Sequence, residues 1–107
     1  MKAFEMAEVL AQRAMSGRPS FEFLRARTLS LHAYVLPPGG PDPQHPHGED
    51  EVYFIVSGRA TILVGDEERA VQAGSIVFVP AHAPHRFQSI TEALEVLVVF
   101  APPRSGT

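Results

Sequence analysis

The sequence predicts an all-β domain, a small sandwich or barrel preceded by one short helix. Three observations carry this reading. From Ser20 onward, apolar and polar residues alternate with a period of two, the spacing of side chains on a pleated strand. The later apolar segments are short, covering 51–57, 60–64, 67–72, 75–79, 85–90 and 94–100. Pairs such as Ser57-Gly58, Gly65-Asp66, Ala73-Gly74 and Pro80-Ala81 separate them, which is the punctuation of antiparallel sheet. The length agrees, since 107 residues make one domain able to bury about two-thirds of its unfolded surface.

The helix comes first. Phe4, Ala7, Leu10, Ala11 and Ala14 recur at spacings of three and four, which predicts a helix over 3–15 with this stripe turned to the domain body. Glu5, Glu8 and Gln12 take the other side, and Ser16-Gly17 with Pro19 beyond it is a stop. Phe21 and Phe23 then alternate with Glu22, and Leu29, Leu31, Ala33 and Val35 alternate with Ser30, His32 and Tyr34. The face bearing His32 and Tyr34 is expected to be wet, with a place in a pocket as the alternative. The run Pro37-Pro38-Gly39-Gly40-Pro41-Asp42-Pro43 is a loop, because proline lacks the backbone donor that sheet and helix need. Gly65-Asp66 suits a two-residue hairpin turn with glycine leading. The final strand, Leu94 to Phe100, is apolar at nearly every position, so both its faces are expected to be covered.

Composition narrows the function. Apolar residues make up 45% and charged residues 20%, an ordinary globular mix. No apolar run approaches the roughly 20 residues that span a bilayer. Glu5 and Glu8 stand where a signal peptide needs its apolar stretch, and cysteine is absent. A cytoplasmic protein without thiolate chemistry is expected. Net charge is −3 and the Lys and Arg residues are scattered singly, so no basic face for nucleic acid or anionic membrane can be read. The partners left are small molecules, metals and copies of the same chain.

The histidines are the informative residues. His45, His47 and Glu51 share a parity, so on one extended stretch all three side chains reach the same face. Two imidazoles and a carboxylate suit divalent Fe, Mn, Co, Ni or Zn. His85, just after the turn that begins at Pro80, could bring a further donor from a neighbouring strand. Tyr53, Ile55 and Phe87 share the donors' parity and are expected to point inward beside them, as a mostly apolar pocket wall.

The segment Gly39-x5-His45-x-His47-x3-Glu51-x6-Gly58 resembles the first motif of the cupin superfamily at all five fixed positions. Gly74-x5-Pro80, with His85 five residues on, resembles the second. Two positions depart from it, His82 standing where that motif has glycine and Ser89 where it has asparagine. The resemblance implies a small antiparallel jelly roll with a metal inside, held by His45, His47, Glu51 and His85. Three neutral imidazoles and one carboxylate would neutralise half the charge of a divalent transition metal (Fe, Mn, Ni, Co or Zn) and leave two octahedral positions open.

The organisation expected is a helical segment 1–18, one cupin domain 19–103 and a tail 104–107. The function expected is a metal-dependent oxygenase, isomerase or lyase acting on a small organic molecule. A module that holds a ligand without turning it over, or a metal that mainly braces the fold, are the alternatives. Leu97 and Val99 should lie on the face opposite Val96 and Val98; the N-terminal helix could cover the outer of these faces, as could a second copy, and a homodimer is expected.

Overall fold

A computed structural model describes residues 1–105. The chain runs through α1 (Met6–Ser16), β1 (Ser20–Arg25), β2 (Ser30–Leu36), β3 (Asp50–Val64), β4 (Glu67–Gln72), β5 (Ile76–Val79) and β6 (His85–Ala101). All pairings are antiparallel, in the order β1-β2-β6-β3-β4, with β5 on β3. The sheet curls on itself as a jelly roll whose rim is not closed by hydrogen bonds among the described residues. No helix there is long and apolar enough to cross a membrane.

The helix ends where expected, with Gly17 left-handed at φ 71°. It begins later, at Met6, and it presents a different face. Val9 is its buried residue and Met6, Leu10 and Arg13 are half-buried, whereas Phe4, Ala7, Ala11 and Ala14 are exposed. Phe4 precedes the helix and rests edge-on against Phe23, 5.1 Å between ring centroids. Alanine carries too little apolar area to decide orientation against Val and Leu, so counting it as an equal of Leu misplaced the stripe.

Two pairs of segments that read as separate strands are continuous. Residues 51–57 and 60–64 both belong to β3, and 85–90 and 94–100 both belong to β6. Gly58 does have positive φ, 99°, but it bends a strand instead of ending one. A Cβ there would stand 2.2 Å from the Ala93 carbonyl oxygen, so only glycine fits. Register shifts cluster at this point: Ser57 pairs Glu95, Arg59 pairs Glu92 and Thr61 pairs Gln88, leaving unpaired residues on β6.

These bulges position the site. Along the ladder Glu51 pairs Phe100 at one end and Val64 pairs His85 at the other. The curl nevertheless carries the start of β6 over the start of β3, so His85 and Glu51 meet across the interior. Between them and the far end lies the apolar core, with Tyr53, Ile55, Ile62, Val71, Val79, Phe87, Leu94 and Val96 all at most 3% exposed.

The inner face of β2 reverses the usual pattern. Ser30, His32, Tyr34 and Leu36 are buried, while Leu31 and Val35 are half-exposed outside. The face expected to be wet therefore faces the interior. Its polarity belongs to a cavity, described next.

Candidate metal centre

His47, Glu51 and His85 converge on one point. Glu51 Oε2 lies 3.2 Å from His47 Nε2 and 3.2 Å from His85 Nε2, and one donor atom from each lies within 4.8 Å of the others. Glu51 comes from the first turn of β3 and His85 opens β6, both inward by strand alternation. His47 comes from the irregular segment before β3, whose carbonyl accepts a hydrogen bond from His82 N at 2.7 Å. That bond ties the first histidine-bearing loop to the turn that delivers the second.

The donor set passes a simple test of fit. His47 Nε2, His85 Nε2 and Glu51 Oε2 are buried and have no hydrogen-bond partner. Three orphaned polar atoms aimed at one another are costly unless something polar joins them. Their other atoms set the tautomers: His85 Nδ1 is 2.8 Å from the Ala83 carbonyl and donates to it, leaving the Nε2 lone pair free. This is a set that could hold a transition metal.

Electrostatics divide the two histidines. Burial lowers the His47 pKa below its usual 6.5, assisted by Arg104 and His85, against the opposing pull of Glu51. For His85 burial acts the same way, but the adjacent Glu51 carboxylate and the hydrogen bond to the Ala83 carbonyl outweigh it and the pKa rises. Buried His32, whose Nε2 is 2.9 Å from Ser30 Oγ, is lowered chiefly by desolvation.

A cavity of about 640 Å³ opens beside these donors, within the range of small-molecule sites. His47, Glu51, His32, Tyr34, Tyr53 and Gln44 line its inner part, and Arg18, Arg25, Arg104 and Glu22 its outer part. His45 also lines it, but is exposed and stands outside the group of three. Tyr53 borders the cavity. Ile55 and Phe87 point inward yet belong to the apolar core, Phe87 packing on Tyr53 with centroids 4.9 Å apart.

Several residues here escaped the sequence reading. Asp42, in the proline loop, accepts from Tyr34 Oη (2.6 Å), Gln44 Nε2 (2.5 Å) and the Phe87 backbone N–H (2.8 Å), pinning the loop to β2 and β6. Gln44 in turn accepts from Tyr53 Oη at 2.8 Å. Desolvation, with Asp42 beside one phenol and Glu51 beside the other, pushes both tyrosine pKa values up. Glu49 is 4% exposed, with Oε1 3.4 Å from His47 Nδ1. It lies in the segment 41–49, which forms no strand, so strand alternation offered no signal for it.

The family model described as "Cupin domain" matches residues 32–100. This chain belongs to the cupin family. Among curated relatives, the cupin is 51% identical over 105 residues to an uncharacterised protein of Streptomyces coelicolor, covering 98% of this chain and all of that one. It is 33% identical over 95 residues to acireductone dioxygenase of Klebsiella pneumoniae, covering 85% of this chain and 44% of the enzyme. It is 36% identical over 74 residues to dimethylsulfoniopropionate lyase of Ruegeria pomeroyi, covering 66% and 37%. The cupin thus spans under half the length of those two enzymes. Among solved structures, TT1209 of Thermus thermophilus superposes with a TM-score of 0.76 and 26% identity over 97% of this chain and all of that one. The Ruegeria lyase superposes with a TM-score of 0.72 and 26% identity over 77% of this chain and 45% of that one.

Proposed function

We propose that His47, Glu51 and His85 of this cupin would hold one divalent transition metal (Fe, Mn, Co, Ni or Zn), and that the cavity beside them admits a small organic acid. The three orphaned donor atoms carry the reading, because nothing else among the described residues satisfies them. His45, on the rim of the same cavity, is the proposed fourth donor. Bound there, a metal supplies a Lewis acid that polarises a coordinated oxygen.

The rest is done by the chain. Arg18, Arg25 and Arg104 surround the outer cavity, opposed by Glu22 and Glu51. A divalent ion would tip this lining to a clear positive excess, which selects an anion over a neutral sugar or phenol. Tyr34 and Tyr53 keep their protons and stay neutral, so they orient a ligand without repelling it. The dioxygenase and lyase relatives favour catalysis, as an oxygenase, isomerase or lyase.

One observation favours a binding module instead. Asp42, the carboxylate bonded to Tyr34, spends its oxygens on three hydrogen bonds within the chain and offers none to a ligand. Metal analysis of protein purified without chelator, then titration with oxalate and with glucose, tests the whole reading. Stoichiometric metal and binding of oxalate but not glucose are expected. His47→Ala that keeps stoichiometric metal at low micromolar concentration overturns the donor set. His45→Ala should weaken binding less than His47→Ala, since His45 lies outside the converged group. Consumption of a carboxylic acid, against mere binding, separates enzyme from module.

The proposed setting is the cytoplasm, and the proposed assembly is a homodimer. Val52, Phe54, Ile76, Phe78, Leu97 and Val99 form one continuous apolar face outside the sheet, with Phe54 39%, Phe78 59% and Ile76 65% exposed. No charged side chain interrupts those six positions, so a second copy of the same face is a fitting cover.

A further inference from the structure

We propose that Glu49 is a positioning residue for His47, and that Arg104 and Ser105, in the segment after β6, hold Glu49 in place. The inference rests on the metal reading above and adds the group that orients one of its donors.

Glu49 is buried, and its two oxygens face different neighbours. Oε1 is 3.4 Å from His47 Nδ1 and 3.5 Å from Arg104 Nη1, and Oε1 and Nδ1 are both buried with no hydrogen-bond partner, so each is the other's nearest candidate. Oε2 accepts from Ser105 Oγ at 2.7 Å and faces the Ser105 backbone N–H at 3.4 Å. It therefore stands on the Nδ1 side of His47, away from the point where Nε2 meets Glu51 and His85, and it is not one of the converging donors. An imidazole that ligates through Nε2 must keep its proton on Nδ1. A buried carboxylate facing Nδ1 favours that tautomer and the ring orientation that goes with it.

The terminal segment is itself anchored. Arg104 N donates to Ser30 Oγ at 2.9 Å, and Arg25 Nη2 donates to the Arg104 carbonyl at 2.9 Å. The Arg104 guanidinium lies 5.8 Å from the centroid of Phe100, whose ring packs edge-on against His47 at 5.2 Å. Residues that read as a tail thus reach a proposed metal ligand through one carboxylate.

The test is cobalt(II) binding by the full chain, measured by chelator competition for wild type, Glu49→Gln, Ser105→Ala and the double variant. Glu49→Gln should weaken binding about ten- to a hundred-fold, with the melting temperature of the metal-free protein held. Ser105→Ala should weaken it less, and should add nothing in the Glu49→Gln background, because it acts through Glu49. Nitrogen NMR of metal-free protein gives a readout that general destabilisation would not move. Wild-type His47 should carry its proton on Nδ1, and Glu49→Gln should show both tautomers. Wild-type protein that binds cobalt while Glu49→Gln binds it equally tightly overturns the positioning role alone. Wild-type protein that takes up no cobalt overturns the metal reading and this inference with it. If Glu49→Gln does not fold, an unchanged affinity in Ser105→Ala overturns the role of the terminal segment.

Discussion

The two faces of the curled sheet invert the usual order of a half-buried sheet. Near its open end the inner face carries Ser30, His32, Tyr34, Glu51, Tyr53 and His85, all buried. The outer face of the same strands carries Leu31, Val52, Phe54, Leu97 and Val99, half-buried or exposed. Burial ordinarily selects apolar residues, so a polar interior must be compensated by what it binds, and an apolar exterior by what covers it. The inner face points to a ligand and the outer one to a partner.

The largest effect should come from the residue that shapes both faces. Gly58→Ala sets a Cβ against the Ala93 carbonyl in a left-handed backbone. A cost of about 3 kcal/mol or more is expected, lowering the melting temperature by more than about 12 °C. Metal uptake and dimer mass should fall together. A variant that melts like wild type would show that the bend does not hold the faces in place.

Leu97→Glu should separate the faces. Sedimentation should give a particle near the 11.7 kDa chain mass, with metal stoichiometry kept. A folded, still dimeric variant would put the interface elsewhere.

Acid should act on the inner face only. His85, raised above 6.5, contributes stability to the metal-free protein that is complete below about 6.5 and is lost as pH climbs through its folded value. His47, lowered, does the reverse and penalises the fold as pH falls below 6.5. These partly cancel without metal. With metal, protons compete for both Nε2 atoms, so the increase in melting temperature on metal addition should fade between about pH 7 and 5. An increment that stays constant across that window would mean the ion is not held by these imidazoles.

The smallest effect should be favourable. His82 and Ser89 are left-handed, at φ 68° and 51°, and these are the two positions that depart from the second cupin motif. His82→Gly should raise stability by up to about 1 kcal/mol, read as a higher denaturation midpoint. A loss instead would show that the imidazole makes a contact of its own.

Strand alternation made much of this legible. Glu51, Tyr53, Ile55, His85 and Phe87 turn inward as period two requires. His45 does not join the cluster because residues 41–49 form no strand, and parity carries no force without the pleat. The alternation of β2 is legible, but which of its faces turns inward is not, since sequence hydrophobicity does not distinguish a wet surface from a polar cavity. The grouping of arginines was illegible for another reason: Arg104 stands 79 positions after Arg25 and reaches the cavity bordered by Arg18 and Arg25 only in the folded chain.

The strands at the sheet's margins constrain any self-association further. β4 begins Glu67-Glu68-Arg69, and β1 carries Glu22 and Arg25, so both long margins present charge to an incoming backbone. The third margin, β5, is apolar but only four residues long and is followed directly by Pro80, which offers no donor to a new strand. Copies of this chain are thereby discouraged from adding strand to strand, the geometry that propagates without limit into fibrils. In the proposed dimer, contact through the broad face would consume that face in both copies and stop growth at two.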